Sequence, residues 1–240
     1  MKVDSSLNKY RARLSRTKPN LLYFEKIGDD FMLWSDGYDV AQRTCLSAKL
    51  LNQIGHTPNA LEIGCGFGAM SEFFQNYCDE LLVLDISQVL ASRTSKKLGL
   101  SACIADAKQL PFVDNSWNLI VTSECVEHTG DPLRAIQEML RILKPGGNLV
   151  LTTPNRLWSP LLKASSTLQI RKFRGREDFL FPRQIRKLAK DLECNVVYEE
   201  GCHLFPWQIP FVKPILKILD NYHWIFRFSI NYGCVIQKSL

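Results

Sequence analysis

Leu61-Glu62-Ile63-Gly64-Cys65-Gly66-Phe67-Gly68 is an apolar run that ends in three alternating glycines, and an amphipathic segment, Met70–Tyr77, follows it. A strand that enters a glycine turn and leaves as a helix lets a ligand come close to the backbone beyond the strand's carboxyl end. A plain turn would account for any one of these glycines, but not for the ordered strand–turn–helix context. The spacing also differs from the dinucleotide fingerprint G-x-G-x-x-G, because Gly64, Gly66 and Gly68 alternate strictly behind an acid, Glu62. That weighs against a nicotinamide or flavin enzyme.

Outward from this stretch, Ala60–Ile63, Leu81–Leu84, Ala102–Ala105, Leu119–Thr122 and Asn148–Thr153 are short apolar runs of strand length. Between them Met70–Tyr77, Val89–Leu98 and Pro132–Leu143 have helical periodicity, the last with Leu133, Ile136, Leu140 and Leu143 down one face. Strands alternating with helices predict parallel pairing through right-handed crossovers, hence a doubly wound α/β sheet. Lys144-Pro145-Gly146-Gly147 is expected to stop the third helix and turn into the next strand. Residues 183–192 predict a further helix, and Glu193–Glu200 and Ser229–Gln237 two more strands. Residues 1–55 are read as an N-terminal helical cap, clearest over Val40–Ile54, ahead of one domain over 56–240. The stretches 156–180 and 202–228 fit the alternation poorly and are read as substrate-side insertions on the ligand edge of the sheet.

The 240 residues suffice for a full hydrophobic core. There is no internal repeat and no uninterrupted apolar stretch of membrane-spanning length. The eight cysteines form no CxxC pair, and Cys45, Cys65, Cys103 and Cys125 fall within predicted elements or the glycine loop, where cysteine acts as a small apolar filler. A reducing, cytoplasmic setting follows. The N-terminus lacks the apolar core of a secretory signal, and residues 1–20 read as a solvated basic arm. The net charge of +6 suits anionic surfaces or ligands but is too mild to argue for nucleic acid.

Asp85 closes the second strand 21 positions after Gly64, where an acid can accept both ribose hydroxyls of a nucleoside. Leu61–Gly68, Leu82–Ser87, Ala105-Asp106-Ala107 with Leu110-Pro111-Phe112, Trp117–Thr122 and Leu140–Asn155 together resemble the successive motifs of small class I S-adenosylmethionine (SAM)-dependent methyltransferases. The resemblance implies a Rossmann-like, seven-stranded, mostly parallel sheet whose last strand is antiparallel. It implies SAM as cofactor, with Glu62, Gly64, Cys65, Gly66 and Gly68 near its methionine part, Asp85 and Ile86 at the ribose, Asp106 and Ala107 at the adenine, and Ser123 completing the set.

After the fourth strand comes Ser123-Glu124-Cys125-Val126-Glu127-His128. If Glu124 opens a helical turn, Glu124, Glu127 and His128 fall at i, i+3 and i+4 on one face. The E-x-x-E-H pattern resembles ubiquinone-pathway O-methyltransferases, and that resemblance implies a divalent cation, Mg²⁺ or Mn²⁺, held by the three side chains. Three readings stay open: this metal site; His128 as a general base without metal, with the carboxylates in support; and a purely structural role in ordering the loop. A neutral hydroxyl is a poor nucleophile, so either of the first two would serve an O-methyl transfer.

The insertions bear on the acceptor. Residues 156–190 carry ten Lys and Arg against Glu177 and Asp178, interleaved with Leu157, Trp158, Leu161, Phe173 and Phe179; residues 204–228 are rich in aromatics, among them Trp207, Phe211 and Trp224. An apolar surface edged by cations suits a lipophilic acceptor and peripheral membrane contact. It can equally be core that caps the sheet. An RNA target is disfavoured, since no RNA-binding module and no Asn/Asp-Pro-Pro-Tyr after the fourth strand is present. The expectation is a methyltransferase, acting on oxygen of a lipophilic or aromatic small molecule. The alternatives are an RNA or protein target, or a SAM-binding scaffold without catalysis.

Overall fold

Leucine, isoleucine and valine occupy successive positions in the central strands, as strands covered on both faces require. In the computed structural model, which describes Phe24 and residues 37–168, 175–202 and 227–240, seven strands form one sheet. They are β1 (Thr57–Ile63), β2 (Cys78–Asp85), β3 (Ser101–Ile104), β4 (Trp117–Ser123), β5 (Leu143–Pro154), β6 (Cys194–Cys202) and β7 (Asn231–Lys238). The helices are α1 (Gly37–Leu51), α2 (Ser71–Phe74), α3 (Gln88–Leu98), α4 (Pro132–Ile142), α5 (Ser159–Thr167) and α6 (Pro182–Asp191). Sheet order is β3-β2-β1-β4-β5-β7-β6, and β7 runs antiparallel to both of its neighbours. The expected doubly wound sheet with an antiparallel last strand is what forms.

Period-two alternation sorts the core into two layers. Leu119, Val121 and Val150 face α1, whose Leu46, Leu50 and Leu51 are fully buried. Ile120, Leu149 and Leu151 face Ile136, Met139 and Leu140 of α4 and Ile185 of α6. Thus the 37–51 part of residues 1–55 packs directly on the sheet. It lies so close that a Cβ on Gly233 of β7 would stand 2.8 Å from Leu50 Cδ1.

Local signals set the helix starts. Ser87 accepts from the Leu90 N–H ahead of α3, and Asp131 accepts from the Arg134 N–H ahead of α4, whose first residue is Pro132. Three sequence expectations are corrected. Leu143 belongs to β5, not to the preceding helix, because α4 ends at Ile142 and Lys238 Nζ gathers the carbonyls of Leu140, Arg141 and Leu143 at 2.9–3.1 Å. The expected helix over Met70–Tyr77 is the one-turn α2 continued by a 3₁₀ turn, Gln75–Tyr77. Cys45 is exposed on α1 and fills no core, whereas Cys65 is buried. The 156–180 stretch contributes a helix of its own, α5, after a 3₁₀ turn at Arg156–Trp158. Of the 202–228 stretch only Cys202, Arg227 and Phe228 are among the described residues.

Candidate cofactor and acceptor site

The carboxyl ends of β1, β2 and β4 open onto a cavity of about 360 Å³, within the size range of small-molecule sites. The glycine loop forms one wall and is held from three sides. Leu84 O accepts the N–H groups of Gly64 and Cys65, Asp85 Oδ2 accepts the Gly66 N–H at 3.0 Å, and Thr94 Oγ1 donates to Gly66 O at 2.8 Å. Gly64 is obligatory twice over: its φ is +82°, and a Cβ there would fall 2.4 Å from Cys125 Sγ.

Nine of the ten expected cofactor residues line this cavity. Gly68 does not. Its φ of +76° turns it toward α3, where a Cβ would meet Thr94 Cγ2 at 2.9 Å, so it serves helix–strand packing and not ligand contact. Asp85 is 7% exposed, and its second oxygen accepts the Ser87 N–H at 2.9 Å. Burial raises its pKa, while the backbone N–H groups of Ser87, Gly66 and Ile86 pull it back. Glu62, 2% exposed, is pushed up to about 8 by burial, with the Ser71 hydroxyl opposing and the charge of Asp85 adding to the rise. Asp106 accepts the Lys108 N–H at 3.1 Å, and Ser123 Oγ accepts from Thr152 Oγ1 at 3.0 Å.

At the other end the cavity meets Glu124, His128 and Arg176. The single helical face expected for Glu124, Glu127 and His128 does not form. Glu124 has φ +51°, a left-handed conformation, and only Val126–His128 make a 3₁₀ turn. Glu127 is 1% exposed and accepts from Thr153 Oγ1 at 3.0 Å. Burial first, and the charge of Glu124 second, raise its pKa well above the carboxylate range. Its other oxygen is 3.8 Å from His128 Nε2. These groups do not fit a divalent ion: among the described residues no group of three or more His, Cys, Asp or Glu side chains is arranged to hold one.

Residues 175–180 bring the insertion to this end. Asp178 N–H donates to Glu127 O at 2.8 Å, and Asn155 pairs with Leu180 beside the end of β5. His128 Nδ1 lies 3.4 Å from Arg176 O, and the Phe24 ring meets the imidazole edge-on, centroids 5.6 Å apart. Val40 and Arg43 of α1 also reach the cavity, as do Phe67 and Met70. The sequence reading missed these. Arg176 carried a signal as part of a basic run, but nothing local marks Val40 or Arg43.

A sheet of this order, with a glycine loop and two acids at the carboxyl ends of its first strands, defines a nucleoside-cofactor domain of the Rossmann-like class. Comparisons narrow it. Residues 61–151 match the methyltransferase domain family. The chain is 27% identical over 131 residues to the demethylmenaquinone methyltransferase of Renibacterium salmoninarum, covering 53% of this chain and 55% of that protein. It is 31% identical over 109 residues to the ubiquinone/menaquinone biosynthesis C-methyltransferase UbiE of Neisseria meningitidis, covering 45% and 41%. The chain therefore spans about half the length of these curated relatives. Among solved structures, the N-methyltransferase NodS of Bradyrhizobium japonicum, in complex with S-adenosylhomocysteine, superposes with a TM-score of 0.61 at 19% identity, over 90% of this chain and 96% of that one. Residues 61–151 are thus a class I SAM-dependent methyltransferase domain, and the methyl donor is SAM.

Proposed function

We propose that this chain methylates an oxygen of a lipophilic or aromatic small molecule, with His128 taking the acceptor's proton. The observation that carries this is His128 itself, lining the same cavity as the glycine loop and Asp85. A carbonyl cannot donate, so the contact with Arg176 O places the proton on Nδ1 and leaves the Nε2 lone pair as the basic site. SAM, when bound, supplies an electrophilic methyl group on a sulfonium. With SAM as methyl donor, His128 Nε2 would take the hydroxyl proton as the acceptor oxygen is methylated, the sulfonium leaving as the neutral thioether. Glu127 lies 3.8 Å away, and its raised pKa leaves the imidazole beside a carboxyl group that is not a ready counter-charge. Phe24 and residues 175–180 border this end, and orientation of the acceptor would supply much of the rate.

The relative named as a C-methyltransferase favours a second reading on the same machinery. Deprotonating a phenol also raises electron density on the adjacent ring carbon, so His128 would serve ring methylation equally. The proton spectrum of the product separates a methoxy from a ring methyl group. On either reading His128→Ala should lower turnover roughly 10²–10⁴-fold while SAM affinity holds, and chelators should change nothing. Full activity of His128→Ala in the presence of chelator would sink the general-base role.

A further inference from the structure

The helix that follows β5 presents an apolar side to water. In α5 the buried side chain is Ser165, 7% exposed, with its hydroxyl donated to Leu162 O at 2.8 Å and that of Ser166 donated to the same carbonyl at 3.1 Å. Leu161 and Ala164 stand on one side of α5, Leu157 precedes them in the 3₁₀ turn and Leu168 follows at the C-cap, and all four are exposed. Leu168 is 69% and Leu157 49% exposed. Phe228, 53% exposed, is held next to this segment, since Trp158 Nε1 donates to Phe228 O at 2.8 Å. Leu162, half-buried one turn before Ser165, is the apolar residue of the inner side, so most of the apolar surface of this segment faces water.

We infer that this face of α5, with Phe228, docks on an anionic lipid bilayer. The charge around it names the partner. Arg156, Lys163 and Arg227 are exposed in or beside this segment. Residues 156–175 contain five Lys and Arg and no Asp or Glu. Apolar side chains set among cations, without acids, match a surface of acyl chains beneath anionic headgroups. A second copy is a poorer occupant, because an isologous contact would set this cationic, acid-free patch against an identical one. The patch follows β5 at the carboxyl edge of the sheet, the edge on which the cavity opens, so docking would present that edge to the membrane. The inference draws on the lipophilic-acceptor reading only for its purpose, and its test needs neither SAM nor acceptor.

The full chain should co-sediment at low salt with vesicles of phosphatidylcholine and phosphatidylglycerol, and much less with phosphatidylcholine alone. Leu157→Ser/Leu161→Ser/Leu168→Ser should cut the bound fraction about tenfold or more, in keeping with loss of the buried apolar area. Arg156→Gln/Lys163→Gln should reduce only the anionic-lipid increment and its salt sensitivity. Because the leucines are exposed, the triple variant should melt like the parent and bind S-adenosylhomocysteine as tightly, which shows that it is folded. Vesicle binding unchanged in the triple variant would overturn the inference and move the contact elsewhere, residues 203–226 included. So would absence of vesicle binding, with or without self-association that the same variant abolishes.

Discussion

Glu62 carries a consequence that can be read in protons. Burial lifts its pKa from 4.5 to about 8. Between those values the folded chain holds a proton that the unfolded chain has lost, so this group makes stability fall as pH rises through that window. An ammonium group beside Glu62, the placement that family resemblance implies for the methionine part of SAM, favours the ionised carboxylate and lowers its pKa. SAM binding near pH 7 should therefore release up to about one proton, and affinity should rise with pH until about 8. Calorimetry in two buffers of different ionisation enthalpy measures this directly. Glu62→Gln should abolish the release, and a parent chain that releases none would remove Glu62 from the ammonium. Asp85 answers a different question, because it both faces the cavity and holds the Gly66 N–H. Asp85→Ala should weaken SAM binding by about 1.5–3 kcal/mol, the range for hydrogen bonds to a charged group. Unchanged affinity in a folded variant would refute its place at the ribose.

Among elements, the loop between β3 and β4 is tied to α4 through two side chains, Arg141 and Glu138. Arg141 donates from Nη1 to Phe112 O and Asp114, from Nη2 to Leu110 O and Glu138, and from Nε to Glu138. Glu138 in turn accepts the Leu110 N–H at 3.1 Å. Burial alone would raise the Glu138 pKa, but the Arg141 hydrogen bonds, the Leu110 N–H and the charges of Arg141 and Arg134 hold it below the usual range. The pair therefore contributes stability that is present above the ordinary carboxylate pKa and is lost as pH falls through the depressed one. Arg141→Ala should cost about 2–3 kcal/mol near neutral pH, from a carboxylate left short of partners and loop carbonyls left short of donors. The deficit should shrink as Glu138 becomes protonated, and chemical denaturation at neutral and acid pH compares the two. A deficit that is constant with pH would mean that Glu138 is not the partner that matters. The strands around this loop were legible because each is a short apolar run bounded by turn residues. The start of β5 was not, since the cation that closes α4 comes from Lys238, 96 positions beyond Ile142. Nor was α5, because its apolar side looks outward and so resembles that of a core helix in sequence.

Across the whole molecule, the cavity gathers stretches far apart in the chain: the glycine loop of β1, the acids after β2 and β3, the 3₁₀ turn after β4, Val40 and Arg43 of α1, and Arg176 of the insertion. The first two were legible because one glycine-and-acid pattern marks the carboxyl ends of successive strands. The Glu124–Glu127–His128 face was misread because the left-handed backbone at Glu124 breaks the helical spacing. The contributions of α1 and residue 176 were invisible, being fixed by how α1 packs over β7 and β6 and how residues 175–180 run beside β5. This shared construction gives a prediction about motion. A ligand that binds only the folded state at a hundred times its Kd adds about 2.7 kcal/mol of stability, which for a chain of this size raises Tm by roughly 5–10 °C. S-adenosylhomocysteine should produce a shift of that size. Amide hydrogen exchange should slow on its binding at residues 62–68 and 84–86 and, remote in sequence, at residues 40–44 of α1, because all three face one volume. Residues 157–168, which lie outside that volume, should exchange as before. Protection confined to the glycine loop and the end of β2 would show that α1 does not close on the cofactor, and would assign Val40 and Arg43 to the acceptor alone.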